Sequence, residues 1–189
     1  MNTRDLRVIR TRKMLHQALL NMMEQKDYNR ISIREITDSA MVNRNTFYLH
    51  YPDKDALRDD VIEVHLQQIR SIFSAQHSSS ELERQSVDKI LNTIQNDISF
   101  YRLMVKGGLE TELSSKMTAI FQSWISEGIM RDQLHYVRKK KSFDLMVEYT
   151  IRGVMGVIMM WIKSDGYYTI QEVKNLISTI SRQHISDLL

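Results

Sequence analysis

The chain has 189 residues, 42% of them apolar and 26% charged, with a net charge of +3 and no cysteine. That balance is ordinary for a globular protein, and a chain of this size buries about 70% of the surface its unfolded form exposes. The missing thiol excludes disulfides, thiolate metal sites, iron–sulfur clusters and cysteine catalysis, and one proline with six glycines argues against a turn-rich all-β fold.

The charge is unevenly placed. Residues 1–58 hold 11 Lys/Arg against 7 Asp/Glu, an excess of four, while the rest of the chain is close to neutral. Arg4, Arg7, Arg10, Arg12 and Lys13 stand near the start against Asp5 alone. Such a stretch reads either as a basic arm for nucleic acid or as a solvated terminus. It lacks the apolar run of a signal peptide. The longest apolar run, Gly153 to Ile162, makes a helix of about 15 Å, half the hydrocarbon core of a membrane. With no cysteine, a cytoplasmic protein is expected.

Helical periodicity dominates from the start. Leu15, Ala18, Leu19 and Met22 recur at i, i+3, i+4 and i+7, one apolar stripe of a packed helix. Ser32 to Glu35 has the form of a capping box, and Ser32–Ser39 is predicted as a short helix. Ala40–Val42 form a turn. Asn43, an N-cap type, opens a second short helix to His50. Ile33, Ile36, Ala40, Val42 and Phe47 can bury together, leaving Arg44, Asn45, Thr46 and Tyr48 facing outward. Pro52-Asp53 reads as a break and a new cap.

Further along, stripes run through Val87, Ile90, Leu91, Ile94, Ile98 and Tyr101, then Leu109, Leu113, Met117, Ile120, Phe121 and Trp124, and finally Val173, Leu176, Ile177 and Ile180. Capping boxes recur at Ser80–Glu83 and Thr169–Glu172, stops are expected at Gly107-Gly108, near Gly128 and at Gly166, and Gln76–Ser80 is the most linker-like stretch. The sum is an all-α chain of eight or nine helices.

A pair of short helices with a polar outward face on the second is what a major groove admits. This segment resembles the TetR family of one-component regulators. The match is carried by the helix pair, by Thr46-Phe47-Tyr48 with His50-Tyr51, by Asp53-Lys54-Asp55-Ala56-Leu57, and by Arg12, Leu15 and Ala18-Leu19 before them. It covers residues 8–60. Met41 departs from the glycine usual in the turn, and because methionine is costly at positive φ, a somewhat different turn is expected there.

The resemblance implies a helix-turn-helix DNA-binding domain over 1–58 and a helical regulatory and dimerisation domain over 59–189. It implies that Arg44 reads guanine, that Asn45 and Thr46 approach base edges or a phosphate, and that Tyr48 and His50 donate to phosphate. Ser32 and Asn43 are caps that also meet the DNA, Ser32 at a phosphate, Lys54 is a phosphate clamp, and Arg4 and Arg7 lie along the adjacent groove or backbone. Each of these has a plainer reading as a cap, a packing contact or a solvated side chain.

In the second domain, Phe100-Tyr101-Arg102, Tyr149, Gly153, Gly156 and Trp161-Ile162 resemble the branch that includes activators of dihydroxyacetone-kinase operons. Tyr101, Met104, Met117, Phe121, Trp124, Tyr149, Met155 and Trp161 are candidates to line a ligand pocket, with plain core as the alternative. Gly153 and Gly156 on a very apolar helix permit close approach of a second helix. With Met160, Val173, Ile177 and Ile180 they form a candidate dimer surface, and a two-fold dimer suits a two-fold operator.

No P-loop, Gly-x-Ser-x-Gly or His-Glu-x-x-His motif is present, and the six histidines have no ligand spacing. The expectation is therefore no enzyme, no cofactor and no metal. The chain is expected to be a homodimeric regulator of operator DNA, most simply a repressor released by an unidentified small-molecule effector. The alternative is an activator or coactivator controlled by a protein docking on the C-terminal domain.

Overall fold

A computed structural model of the chain describes residues 3–74, 80–131 and 142–186. Among these residues it forms nine α-helices, one 3₁₀ turn and no strand. The order is α1 (Thr3–Met23), the 3₁₀ turn (Tyr28–Arg30), α2 (Ile33–Ala40), α3 (Arg44–His50), α4 (Lys54–Ser74), α5 (Ser80–Asn96), α6 (Ile98–Lys106), α7 (Glu110–Arg131), α8 (Ser142–Lys163) and α9 (Ile170–Ser186). The linker expected from Gln76 lies, up to residue 79, outside the described residues. No described helix is long and apolar enough to cross a membrane.

The helices fall into two compact units. The first takes α1, the 3₁₀ turn, α2, α3 and α4 as far as Leu66, together with Leu103–Glu110; the second takes Gln67–Arg102 and the described residues from Thr111 onward.

In the first unit α1 packs on α2, and α2 on α3. Leu15, Ala18, Leu19 and Met23 of α1 are buried with Ile36, Ala40 and Phe47, and with Leu57, Val61, Ile62 and Leu66 of α4. Ile33 and Val42, expected in this cluster, are only half-buried. Ser32 caps α2 through the full reciprocal box, its Oγ accepting from the Glu35 N–H while the Glu35 carboxylate accepts from the Ser32 N–H. α6 ends at Gly107-Gly108, where Gly108 takes φ +82° and the Leu109 N–H returns to the Met104 carbonyl at 2.9 Å. The Gly107 carbonyl accepts from the Tyr28 N–H at 2.9 Å. This pairing seats the 103–110 segment against the 3₁₀ turn.

In the second unit α9 packs on α5 and α8. The Thr169–Glu172 box caps α9, the Thr169 N–H donating to Glu172 Oε2 at 2.8 Å. Arg102 closes the other end of α8, donating to the Ile162 carbonyl at 3.3 Å and pairing with Asp165 at 3.1 Å. A cation on the last carbonyls of a helix satisfies orphan acceptors and the helix dipole together. α7 does not stop at Gly128 but runs to Arg131. A glycine ends a helix where it takes left-handed φ, as Gly108 and Gly166 do.

Candidate nucleic-acid interface

α3 is the element on which the interface is built. Asn43 caps it, its Oδ1 accepting from the Asn45 N–H at 2.8 Å. Phe47 is fully buried and anchors one side of the helix to α2. The opposite side carries Arg44, Asn45, Tyr48 and Leu49, all exposed. Tyr48 stands edge-on to Phe47 with ring centroids 5.5 Å apart. Its hydroxyl accepts from Arg44 at 3.2 Å, and the guanidinium lies over the ring at 5.7 Å. Thr46 and His50 are half-buried.

The turn before α3 keeps the geometry a glycine would give it. Met41 sits at φ 52°, ψ 38°, so the different turn expected from methionine does not arise. The Met41 N–H bonds to Asp38 O and the Val42 N–H to Thr37 O at 3.0 Å, and these bonds hold the residue in a conformation that costs a side-chain-bearing residue about 1–2 kcal/mol. Its side chain is 87% exposed.

Three expected contacts sit differently from their sequence reading. Lys54 does not project as a clamp. Its Nζ donates to the Tyr28 carbonyl at 2.9 Å and the Ile31 carbonyl at 2.8 Å, and rests 4.2 Å from the Tyr28 ring centroid. The Tyr28 carbonyl also accepts from the Ile31 N–H at 3.0 Å at the end of the 3₁₀ turn, and the ammonium adds a second bond there and one to Ile31; burial pushes its pKa down. Ser32 is exposed, but both its N–H and its hydroxyl are taken by the Glu35 carboxylate, at 2.9 and 2.7 Å. A hydrogen bond from Lys26 leads the causes that hold the Glu35 carboxyl down to about 2. Finally, Arg4 and Arg7 belong to the first turns of α1 rather than to an extended arm, and Arg7 is exposed.

A polar cluster behind α3 escaped the sequence reading. Tyr51, the residue that ends α3, is buried. Its hydroxyl donates to Asp60 Oδ2. The same oxygen accepts from His16 Nε2 at 2.7 Å and from Arg12 Nε at 3.1 Å, and a second Arg12 nitrogen reaches Oδ1. The cluster therefore ties α1, α3 and α4 at one carboxylate. Burial alone would raise the Asp60 carboxyl, but the bonds from Tyr51, Arg12 and His16 outweigh it and hold it below the ordinary range. Burial pushes His16 down against the pull of Asp60, so at neutral pH the contact is a hydrogen bond from a neutral ring rather than an ion pair. Tyr28 is a second hub: its hydroxyl donates to Asp55, and burial, then that bond, raises its pKa well above a free phenol.

In the second unit Tyr101, Met117, Phe121, Met155 and Trp161 are buried and Trp124 is half-buried. Phe73, not singled out in the sequence, joins them, its ring 4.8 Å from Trp124 and 5.5 Å from Phe121. The Tyr101 hydroxyl is buried without a hydrogen-bond partner; burial, then the Asp97 charge, raises its pKa. Two of the expected lining residues stand apart. Met104 belongs to the first unit, and Tyr149 is 64% exposed.

Tyr149 instead shares an outward face of α8 with Gly153, Gly156 and Met160. An added Cβ at either glycine would meet nothing within 4 Å. Although α8 is very apolar, this stripe is exposed. On α9 the expected dimer residues Val173 and Ile177 are buried in the protomer's own core, because that stripe faces α5 and α8; Ile180 is half-buried and Leu176 is the exposed one.

Comparison with known proteins fits this geometry. A family model described as "Bacterial regulatory proteins, tetR family" matches residues 15–61, and one described as "Transcriptional regulator C-terminal region" matches residues 83–183. The chain is 24% identical over 154 residues to the uncharacterized HTH-type transcriptional regulator YxbF of Bacillus subtilis (strain 168); the match spans 79% of this chain and 39% of that relative's length. Its fold is similar to that of the dihydroxyacetone kinase operon activator DhaS, with a TM-score of 0.58 at 15% identity over 94% of this chain and 96% of the other. A tetR-family transcriptional regulator from Streptomyces coelicolor gives 0.58 at 14% identity over 94% and 79%.

Proposed function

The chain belongs to the TetR family of bacterial regulatory proteins, and from that premise we propose that it is a homodimeric, sequence-specific regulator of operator DNA, acting as a repressor released by a small molecule. The family is one of transcriptional regulators and not of enzymes. The observation that carries the reading is α3, whose Phe47 is anchored while Arg44, Asn45 and Tyr48 stand exposed on the far side.

A guanidinium can pair bidentately with guanine O6 and N7, and a carboxamide with adenine N6 and N7. Arg44 and Asn45 take these roles, with Thr46 beside them at the helix start. Tyr48 and His50 donate to phosphates, and Asn43 adds its free amide at the cap. Arg7, with Arg4 before it, supplies charge along the flanking backbone. Lys54 is left out of this set because two of its donors already serve Tyr28 and Ile31.

Two copies meet through α8, where Gly153 and Gly156 let backbones approach and Tyr149 and Met160 provide apolar area. The exposed Leu176 of α9 joins them. An isologous contact places one reading helix on each half-site. The effector binds in the second unit among Tyr101, Met117, Phe121, Trp124, Met155 and Trp161. The Tyr101 hydroxyl is the polar anchor, since a buried unpaired hydroxyl costs about 1–3 kcal/mol until something bonds to it. The ligand acts by its differential affinity for the two spacings of the reading helices.

The test is binding of purified protein to its own upstream DNA at two salt concentrations with unrelated DNA as competitor. Salt-sensitive binding that survives the competitor is expected. Binding that the competitor abolishes would reduce the protein to a generic basic surface and overturn the proposal.

A further inference from the structure

α3 presents one residue whose chemistry the polar readers do not explain. Leu49 is 84% exposed. It follows Phe47 by two residues, about 200° round the helix, and so stands nearly opposite the residue that anchors α3 in the core. Asn45, one turn earlier, shares that outermost line. Leu49 is thus as far from the fold as a residue of α3 can be, and the protomer gains almost nothing from its apolar surface.

We infer that Leu49 is a specificity-determining residue that reads the C5-methyl group of a thymine in the major groove. The inference rests on the DNA-reading proposal above and names one base that the reading would select. Thymine's methyl is the one apolar group among the major-groove edges; the other groups there are donors or acceptors. A leucine side chain has no hydrogen-bonding atom. Set against guanine O6, adenine N6 or cytosine N4, it would strip water from a polar group and return no bond, which is unfavourable. Set against a thymine methyl, it buries apolar surface on both sides.

The neighbourhood favours a base edge over a protein partner. Arg44, Asn45 and Tyr48, which share the outward side of α3, are polar or half-polar, so the helix gives Leu49 no purely apolar neighbour on that side, where a docking protein would need a contiguous apolar patch. A single methyl group matches the one exposed side chain of α3 that carries no polar atom. The residue also lies on the same short helix and the same side as the polar readers, so any duplex they engage is within its reach.

The experiment uses the full chain and chemically altered DNA. Wild-type protein first selects its preferred duplex from a random library. Each thymine of that duplex is then replaced singly by deoxyuridine, which keeps base pairing and removes only the methyl. Affinities are measured at one fixed salt concentration for wild type and for Leu49→Ala. Circular dichroism confirms that the variant is folded, which an exposed site should allow.

One deoxyuridine position per half-site is expected to weaken wild type about three- to fivefold, the worth of one buried methyl group. Leu49→Ala should lose a similar factor on the parent duplex, lose nothing more at that deoxyuridine, and keep the wild-type salt slope. Two results overturn the inference while leaving DNA reading intact. Either no deoxyuridine substitution changes wild-type affinity, or the sensitive position is equally sensitive in Leu49→Ala. If the first step selects no duplex over random sequence, the DNA-reading proposal fails, and the inference falls with it.

Discussion

Replacing Asp60 by alanine tests whether one carboxylate fixes the end of α3. Its two oxygens accept from Tyr51, His16 and Arg12, so the substitution removes the acceptor for three side chains at once. The losses are unequal. The Arg12 side chain is 45% exposed and turns to water, so its share is at most about 1 kcal/mol. The buried Tyr51 hydroxyl has a substitute acceptor in His16 Nε2 at 3.0 Å, provided the imidazole changes tautomer, so its loss falls near the low end of about 1–3 kcal/mol. The broken His16 bond adds about 1 kcal/mol. Together the Asp60→Ala variant should be less stable by about 2–3 kcal/mol.

Urea denaturation followed by circular dichroism measures this, with Tyr51→Phe as the partner in a double-mutant cycle. A coupling of about 1–2 kcal/mol between the two positions is expected. A stability for Asp60→Ala within about 0.5 kcal/mol of wild type, or a cycle with no coupling, would refute the idea that the cluster holds α3 in place.

The same cluster predicts how stability follows pH. His16 is held below its unfolded pKa of about 6.5, so the unfolded chain takes the proton first and stability falls as pH drops below about 6.5. Asp60 is also depressed, so its contribution is present above the unfolded value of about 3.9 and is lost as pH falls further. His16→Gln should abolish the upper step in a stability–pH titration and leave the lower one. Met41→Gly should raise stability by about 0.5–1 kcal/mol in thermal unfolding, because glycine takes φ 52° without a side-chain clash. Lys54→Met should lower stability by about 1 kcal/mol, through the lost bond to the Ile31 carbonyl and the second bond lost at the Tyr28 carbonyl, while the salt dependence of DNA binding keeps its slope. Gly156→Arg should raise the dimer dissociation constant about a hundredfold, or ~3 kcal/mol, in sedimentation equilibrium, with the fold of each copy unchanged.

What the sequence disclosed is what depends on near neighbours. Ser32 with Glu35, Asn43 with Asn45 and Thr169 with Glu172 cap their helices within three residues, and each was legible as a pattern. Phe47 declared itself by its phase within α3. Lys54 did not, because its acceptors lie 26 and 23 residues away and a lysine beside a helix start reads equally well as a clamp for phosphate. The Asp60 cluster is separated by 48 and 44 residues from Arg12 and His16, with no periodic signal to join them. Tyr149 reads as lining from its ring alone, although the exposed Glu148–Arg152 pair beside it marks that part of α8 as facing solvent. Val173 and Ile177 had the phase, but not the information that α5 and α8 already cover that stripe. Leu49 could have been found as the apolar residue out of step with the buried side of its own helix.

If two copies pair through the open face of α8 as proposed, that face ties folding to abundance. A glycine inside a helix costs roughly 0.5–1 kcal/mol relative to alanine, and neither Gly153 nor Gly156 fills any space in its own copy that a methyl would not. A solitary protomer therefore carries a deficit that only association offsets. By mass action its stability rises with its own concentration, so freshly made or scarce copies are the most vulnerable to unfolding and proteolysis. The amount of functional regulator would then fall faster than the amount of chain synthesised, making the threshold for control at the operator steeper than the expression level alone would set.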